Sequence, residues 1–321
     1  MLESGRTRWH PFAMRLASPP GQLIDLGTHR LHLLSAGAGP PVVFDAALGA
    51  SCLSWTFVQP RVARFAQALT YDRAGFGWSE AGPLPRTIGR IAGELRALLA
   101  AAGVPAPYIL VGHSFGALTV RLIAQQHPDE IAGMVLLDPP DPLDWRSPSA
   151  TQRARLERGV TLCRYGERAA RLHVTEAVAL LARAGALRWA RACARWVSRG
   201  ELRPSDELVL APVGRLPPDV QAQARRAWTQ PKFFEALGSQ IASLSEGAAA
   251  IDDAPAFGAL PVVVVSGGGS SSPAERDSRE RLAARSSRGR HLVAEDSGHW
   301  IPLDRPDVVA EAVRGIVSLA D

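Results

Sequence analysis

Short apolar runs alternate with amphipathic helical patterns along most of this 321-residue sequence, and this alternation limits the folds open to it. Seven runs are compact and bounded by turn residues: Leu31–Leu34, Val42–Phe44, Ala68–Tyr71, Tyr108–Val111, Met134–Leu137, Val262–Val265 and His291–Ala294. Such runs are typical of strands buried on both faces of a parallel sheet. The helical patterns between them, such as Thr87–Ala102 and Phe115–Gln126, favour a doubly wound α/β fold with a mostly parallel sheet.

The alternation stops between Pro142 and Ala250, where short amphipathic helices follow one another and no strand is apparent. We therefore predict a first part of the core at 21–141, an inserted helical cap at 142–255 and a second part of the core at 256–321. Four tryptophans of the predicted cap either line a hydrophobic pocket above the sheet or pack the cap onto the core: Trp145, Trp189, Trp196 and Trp228.

The net charge of +5 does not indicate a nucleic-acid partner. Lys232 is the only lysine among 36 basic residues, so the bias towards arginine is compositional. The excess of positive charge lies in the predicted cap, where it is mixed with Glu and Asp rather than arranged as a basic stripe.

The sequence predicts a cytoplasmic protein without a membrane span. No uncharged run is long enough to cross a bilayer without interruption, and the N-terminal segment has no apolar signal region. The cysteines are odd in number and have no metal-ligand spacing, so neither a disulfide framework nor a zinc site is expected: Cys52, Cys163 and Cys193.

A glycine-flanked serine lies where the predicted strand Tyr108–Val111 meets the predicted helix Phe115–Gln126. The segment reads Gly112-His113-Ser114-Phe115-Gly116. A sharp strand-to-helix turn of this kind lifts the serine hydroxyl out of the sheet and places it at a helix N-terminus. The two glycines remove Cβ atoms that would clash in the turn. The pattern predicts that Ser114 is a nucleophile.

A serine nucleophile needs a general base, and His299 is the best-placed histidine for that role. It follows the last predicted strand, at the edge where ligands bind in open α/β sheets. The other histidines lie before the sheet, in its first hairpin, on the turn itself, or in predicted helices and strands: His10, His29, His32, His113, His127, His173 and His291.

Backbone N–H groups are expected to stabilise the negative oxygen that forms when the serine attacks. One is that of Phe115, directly after Ser114. The other is predicted to be that of Leu48, in the small-residue loop that follows Val42–Phe44.

Four segments together resemble the α/β-hydrolase superfamily over Gly21 to Ala320: Tyr71–Ser79, Gly112–Gly116, Ala132–Asp138 and Ser297–Trp300. The resemblance implies an α/β-hydrolase fold with a helical cap, and cleavage of ester-like bonds by a serine, usually without a cofactor or metal. The Tyr71–Ser79 segment looks like the family's structural turn, to which we assign no chemistry. The chain departs from many relatives at Ala46-Ala47, where they have His-Gly.

Members of this superfamily complete a catalytic triad with a carboxylic acid that orients the histidine. The position of this acid is the second departure from the family pattern. Relatives usually carry it just after the strand corresponding to Val262–Val265, but here no carboxylate follows until Glu275 and Asp277. Asp138 ends the strand Met134–Leu137, and some members of the family take their acid from this strand. We predict Asp138, with Asp277 and Glu275 as alternatives. Asp296 is too close to His299 in sequence to face its ring well.

We therefore predict a serine hydrolase that cleaves carboxylic esters of small to medium hydrophobic substrates through an acyl-enzyme. Two alternatives remain open. The first is an aminopeptidase of the proline-iminopeptidase type, which would need acidic cap residues, whereas this cap is net basic. The second is a catalytically silent relative that binds a small ligand or a protein. The oligomeric state is not predicted.

Overall fold

The computed structural model describes residues 19–183, Cys193, Trp196, Ser198–Arg199, 211–251, 256–269 and 271–320. The N-terminal segment and Trp189, both discussed above, lie outside these ranges. The strands are β1 (Gln22–Asp25), β2 (Arg30–Ala36), β3 (Pro41–Asp45), β4 (Gln67–Tyr71), β5 (Tyr108–His113), β6 (Ile131–Leu137), β7 (Val262–Gly267) and β8 (Gly289–Ala294).

These strands form one eight-stranded sheet in the order β1-β2-β4-β3-β5-β6-β7-β8. Strand β2 is antiparallel to both β1 and β4, and every pair from β4 across to β8 is parallel. The structure thus confirms the predicted α/β fold with a mostly parallel sheet. All seven predicted strands are present. Strand β1 is additional, and its four partly exposed residues at the sheet edge carry too short an apolar pattern to be recognised.

The helices, numbered over the described residues, are α1 (Gln59–Val62), α2 (Ile88–Ala101), α3 (Phe115–Gln126), α4 (Pro142–Arg146), α5 (Ala150–Arg171), α6 (Val174–Arg183), α7 (Pro218–Ala227), α8 (Pro231–Ala242), α9 (Leu244–Ala249), α10 (Pro273–Ala283), α11 (Ile301–Asp304) and α12 (Pro306–Ala320). Hydrophobic clusters fill both faces of the sheet. Leu110 of β5 belongs to the cluster with α2 and α3, whereas Ile109 and Val111 belong to the one with α12. Because successive strand residues point to opposite faces, burial of both faces requires unbroken apolar runs.

All the described elements between β6 and β7 are helical, namely α4 to α9 and a short 3-10 turn at Ala211–Arg215. The boundaries 142–255 remain a prediction for the cap. Trp145 and Trp228 pack, partly buried, against hydrophobic clusters, and Trp196 is 79% exposed. Trp145 and Trp228 thus follow the packing alternative. None of the described helices is both long and apolar enough to span a bilayer.

Helix α8 lies directly on the turn that follows β4. The Lys232 ammonium donates hydrogen bonds to the carbonyl oxygens of Gly77 and Ser79, at 3.0 and 2.6 Å. A Cβ on Gly75 would come within 2.4 Å of Ala236 Cβ, so only glycine permits this approach. Burial lowers the pKa of Lys232. The contacts place α8, through Leu237, beside the loop that follows β3.

Candidate active site

Ser114 occupies a strained turn between β5 and α3. Its backbone angles are φ 52° and ψ −116°, a region that non-glycine residues rarely adopt. The Ser114 N–H donates to the carbonyl oxygen of Leu137 at 2.9 Å, which ties the turn to the end of the neighbouring strand β6. The side chain is partly exposed at the N-terminus of α3.

The two flanking glycines are required by close backbone contacts. A Cβ on Gly112 would lie 2.6 Å from Ala117 Cα, and one on Gly116 would lie 2.3 Å from the carbonyl oxygen of Asp45. The second contact presses the serine turn against the end of β3. The Gly-x-Ser-x-Gly pattern therefore brings the loop after β3 next to Ser114.

Asp138 stands at the same level of the sheet as Ser114, one strand away. His113 and Leu137 are paired in the register of β5 and β6, so the residues that follow them leave the sheet side by side. Asp138 also has a positive φ, of 44°, and its N–H donates to the carbonyl oxygen of Val265 at 2.7 Å. The carboxylate is buried, with 4% of the residue exposed.

The structure brings His299 onto Asp138. The Nδ1 atom of His299 lies 2.6 Å from Oδ2 of Asp138, and 43% of the histidine side chain is exposed. Since an ionised carboxylate only accepts hydrogen bonds, Nδ1 carries the proton, and the other ring nitrogen, Nε2, remains available as a base. The second oxygen, Oδ1, lies 2.7 Å from the Arg279 guanidinium and accepts the N–H of Gly267 at 3.2 Å.

The charge of Asp138 is stabilised in place. Burial acts to raise the pKa of this carboxyl group, but the hydrogen bond from His299 and the charge of Arg279 outweigh it, so that the pKa lies below its usual value. Asp138 is therefore ionised at neutral pH.

His113, which lies on the serine turn itself, supports the loop that carries His299. Its Nε2–H donates to the His299 carbonyl oxygen at 2.7 Å, and the two rings are 5.0 Å apart. Burial, with the charge of His299, lowers the pKa of His113 to about 3, so its ring is neutral. Its place beside Ser114 was the only sequence signal for this role.

The other acids considered from the sequence lie away from His299 among their described contacts. Glu275 forms a reciprocal capping box with Ser272 at the start of α10. Asp277 is exposed on the same helix, and Asp296 is exposed with Arg305 3.8 Å away. None of the contacts described for these three acids involves His299.

A buried arginine that the sequence analysis left without a role, Arg73, holds the loop after β3. Its guanidinium donates to Oδ1 of Asp45 at 2.9 Å, to the Ala47 carbonyl at 3.2 Å and to the Ala46 carbonyl. It also lies 4.8 Å from the centre of the Phe115 ring. One side chain thus contacts both the loop after β3 and the Phe115 ring, the two segments whose N–H groups are predicted to bind the oxyanion.

The backbone at Leu48 is oriented by these contacts. The Ala47 carbonyl faces Arg73 and also accepts the N–H of Ala50 at 3.1 Å, which closes a turn with Gly49 at φ 72°. Because a trans peptide directs its C=O and N–H to opposite sides, the Leu48 N–H points away from Arg73.

One group of described residues has the composition of a metal site. Ligand atoms of His32, Cys52 and Asp72 lie within 4.8 Å of one another, and all three residues are buried. The Asp72 carboxylate already accepts hydrogen bonds from His32 Nδ1 and from the N–H groups of Cys52 and Trp78, at 2.8–3.0 Å. The other ring nitrogen of His32, Nε2, is hydrogen-bonded to the carbonyl oxygen of Pro20. Hydrogen bonding accounts for the group, and we assign it no metal.

Comparisons with known proteins show what this chain is similar to. The chain is 40% identical over 102 residues to the uncharacterized protein YqjL of Bacillus subtilis, a match that covers 32% of this chain and 40% of YqjL. An esterase from Thermogutta terrifontis has a similar structure, with a TM-score of 0.64 at 19% identity over 91% of this chain and 94% of the esterase. A candidate epoxide hydrolase from Pseudomonas aeruginosa gives 0.65 at 19% identity over 93% and 95%.

The structural likenesses are too distant in sequence to show more than a shared fold, and the match to YqjL spans less than half of that protein. The family model described as alpha/beta hydrolase fold, however, matches residues 40–306, most of the chain. It covers the serine turn, Asp138 and His299. This chain therefore belongs to the α/β-hydrolase family.

Proposed function

We propose that this protein hydrolyses carboxylic esters through an acyl-enzyme formed on Ser114. The observation that carries the proposal is the 2.6 Å contact between His299 Nδ1 and Asp138 Oδ2 at the sheet edge where Ser114 occupies its strained turn. A serine, a buried carboxylate and a histidine, in this order along the chain, are the parts of an acyl-transfer triad in α/β-hydrolases.

In the proposed reaction, Ser114 Oγ attacks the acyl carbon while His299 Nε2 takes the hydroxyl proton. Asp138 stabilises the imidazolium that forms and keeps the ring in the tautomer with hydrogen on Nδ1. The imidazolium then returns the proton to the departing alkoxide, and the alcohol leaves. His299 then takes a proton from water as the water attacks the acyl-serine. The imidazolium returns this proton to Ser114 Oγ as the acyl–oxygen bond breaks, and the carboxylic acid is released.

The oxyanion is proposed to bind the N–H groups of Phe115 and Leu48. The first N–H groups of a helix have no partner within the helix, which leaves that of Phe115 suited to an anion. The orientation of the Leu48 N–H away from Arg73 is consistent with the same role. In this proposal, the hydrogen bonds from Arg73 hold the loop that contains Ala46 and Ala47.

We expect Arg73→Lys to lower kcat by about 10-fold or more, because a lysine keeps a cation beside Asp45 but cannot hold both loop carbonyls in one planar fork. KM should change less. Steady-state kinetics on p-nitrophenyl acetate, with thermal unfolding as a check on the fold, measure this effect. The exposed Arg64→Lys is a matched control. An Arg73→Lys enzyme with normal kcat would show that the loop does not depend on the guanidinium.

A nucleophilic serine favours acyl transfer over epoxide opening. The epoxide hydrolases of this superfamily use an aspartate as the nucleophile instead.

Two apolar side chains are partly exposed near elements of the site. Leu237 lies close to the loop after β3, and Trp300 lies close to His113. The proposed substrates are therefore esters with small to medium hydrophobic groups.

A substrate panel tests this choice. We expect p-nitrophenyl esters of short and medium acyl length to be cleaved with a higher kcat/KM than prolyl p-nitroanilide or long-chain triglycerides. Equal or better activity on the prolyl amide would favour the aminopeptidase alternative. Absence of turnover on every ester would support the silent, ligand-binding alternative.

A further inference from the structure

Arg279 is a buried residue within a helix that is mostly exposed. The charged run from Glu275 to Arg281 is typical of a solvated helix start, and α10 does begin at Pro273. Arg279 is the exception to this interpretation, because only 7% of it is exposed. A buried guanidinium carries a large desolvation cost and therefore requires specific partners.

Those partners converge on Asp138. The Nη1 atom of Arg279 lies 2.7 Å from Asp138 Oδ1 and also bonds the Ser271 hydroxyl, while Nε donates to the carbonyl of Pro139 at 3.2 Å. Arg279 thus binds both the Asp138 carboxylate and the backbone carbonyl of the next residue, Pro139. The oxygen that it contacts is not the one that faces His299.

We propose that Arg279 is a positioning residue of the active site, which fixes the Asp138 carboxylate with Oδ2 towards His299 and balances its charge from the opposite side. This inference rests on the proposed function, since it assigns Arg279 a part in the same triad. Arg279 touches neither the substrate nor the reacting atoms. Its effect passes through Asp138.

The described contacts of Asp138 and His299 show which groups could position the carboxylate and balance its charge. Asp138 faces His299 on one oxygen, and Arg279, the Gly267 N–H and the Ser271 hydroxyl on the other. His299 faces Asp138 and the neutral ring of His113. In the loop that carries His299, the Gly298 N–H donates to the Asp304 carboxylate, which is also paired with Arg215.

Among the contacts described for Asp138, Arg279 is therefore the one permanently charged cation that touches the buried carboxylate. Its removal would take away one of the interactions that hold the pKa of Asp138 down against burial, while the hydrogen bond from His299 would remain, so the pKa of Asp138 would rise. The active form needs this carboxylate ionised and the Nε2 atom of His299 unprotonated, and loss of a nearby positive charge favours an added proton on either group. Activity would then be lost at a higher pH as the solution is acidified.

The test measures kcat/KM for p-nitrophenyl acetate against pH in wild type, Arg279→Met and Arg279→Lys, with the exposed Arg281→Met of the same helix as a control. We expect Arg279→Met to move the acidic limb up by about 1 to 3 pH units. Arg279→Lys keeps the charge but not the fork, so its limb should stay near wild type while kcat falls by about 10-fold or more. Arg281→Met should match wild type.

Two results would overturn the proposal. One is an Arg279→Met enzyme with lower activity but an unmoved acidic limb, which is the pattern of a merely structural residue. The other, which decides the matter if Arg279→Met does not fold, is an Arg279→Lys enzyme with wild-type kcat. Ser114→Ala, assayed in parallel, separates the two proposals: if ester cleavage survives it, the proposed function fails, and if cleavage is lost but the limb does not move, only the role of Arg279 fails.

Discussion

Ser114→Ala is expected to abolish ester hydrolysis and leave the protein folded. The substitution removes the nucleophile, and loss of a triad serine typically costs about 10⁶-fold in kcat. Alanine fits wherever serine fits in the turn between β5 and α3, and the backbone hydrogen bond from residue 114 to Leu137 does not involve the side chain. Steady-state turnover on p-nitrophenyl acetate, together with thermal unfolding, measures both halves of the expectation.

The exposed Ser287, on the turn before β8, provides a matched control. Ser287→Ala should keep wild-type kcat. If Ser114→Ala retained a substantial part of the wild-type rate after purification from any contaminating esterase, Ser114 would not be the nucleophile.

Asp138→Asn is expected to have the next largest effect, a loss of about 10⁴-fold in kcat. The asparagine amide has the shape of the carboxylate but cannot stabilise an imidazolium, and it favours the wrong tautomer of His299. The substitution also leaves Arg279 buried beside a neutral side chain, so unfolding should be measured on the same preparation.

Asp277→Asn is the comparison that makes this result specific. Asp277 is exposed on α10, and we expect its asparagine variant to turn over substrate almost normally. A crippled Asp277→Asn enzyme beside a nearly normal Asp138→Asn enzyme would reverse the assignment of the acid.

The sheet could be predicted from the sequence because both of its faces are buried. Each central strand is apolar along most of its length, as β5 is from Tyr108 to Val111, and such runs are visible without knowing their neighbours. The prediction of Asp138 also rested on local information, namely its place at the end of a strand and the lack of a carboxylate after Val265. Strand β1 was missed because an edge strand of four residues is neither long nor buried enough to leave a pattern.

The supporting residues of the candidate site could not be predicted in this way. Arg73, His113 and Arg279 owe their positions to partners far away in the chain, as Arg279 does to Asp138. In the sequence, Arg279 belongs to a charged run that is typical of a solvated helix, and Arg73 to a turn typical of the family. Burial of their charged groups, and the contacts that compensate for it, exist only in the folded chain.

Covalent labelling with a p-nitrophenyl phosphonate ester tests most directly whether Ser114 forms the acyl-enzyme. The reagent transfers its phosphonyl group to a nucleophilic serine with release of p-nitrophenol, and the resulting phosphonyl-serine hydrolyses only slowly. We expect one equivalent of p-nitrophenol per protein molecule, a matching increase in the mass of the intact protein, and the added group on the peptide that contains Ser114. Ser114→Ala should take up no label. Labelling of a different residue, or equal labelling of Ser114→Ala, would contradict the assignment of Ser114 as the nucleophile.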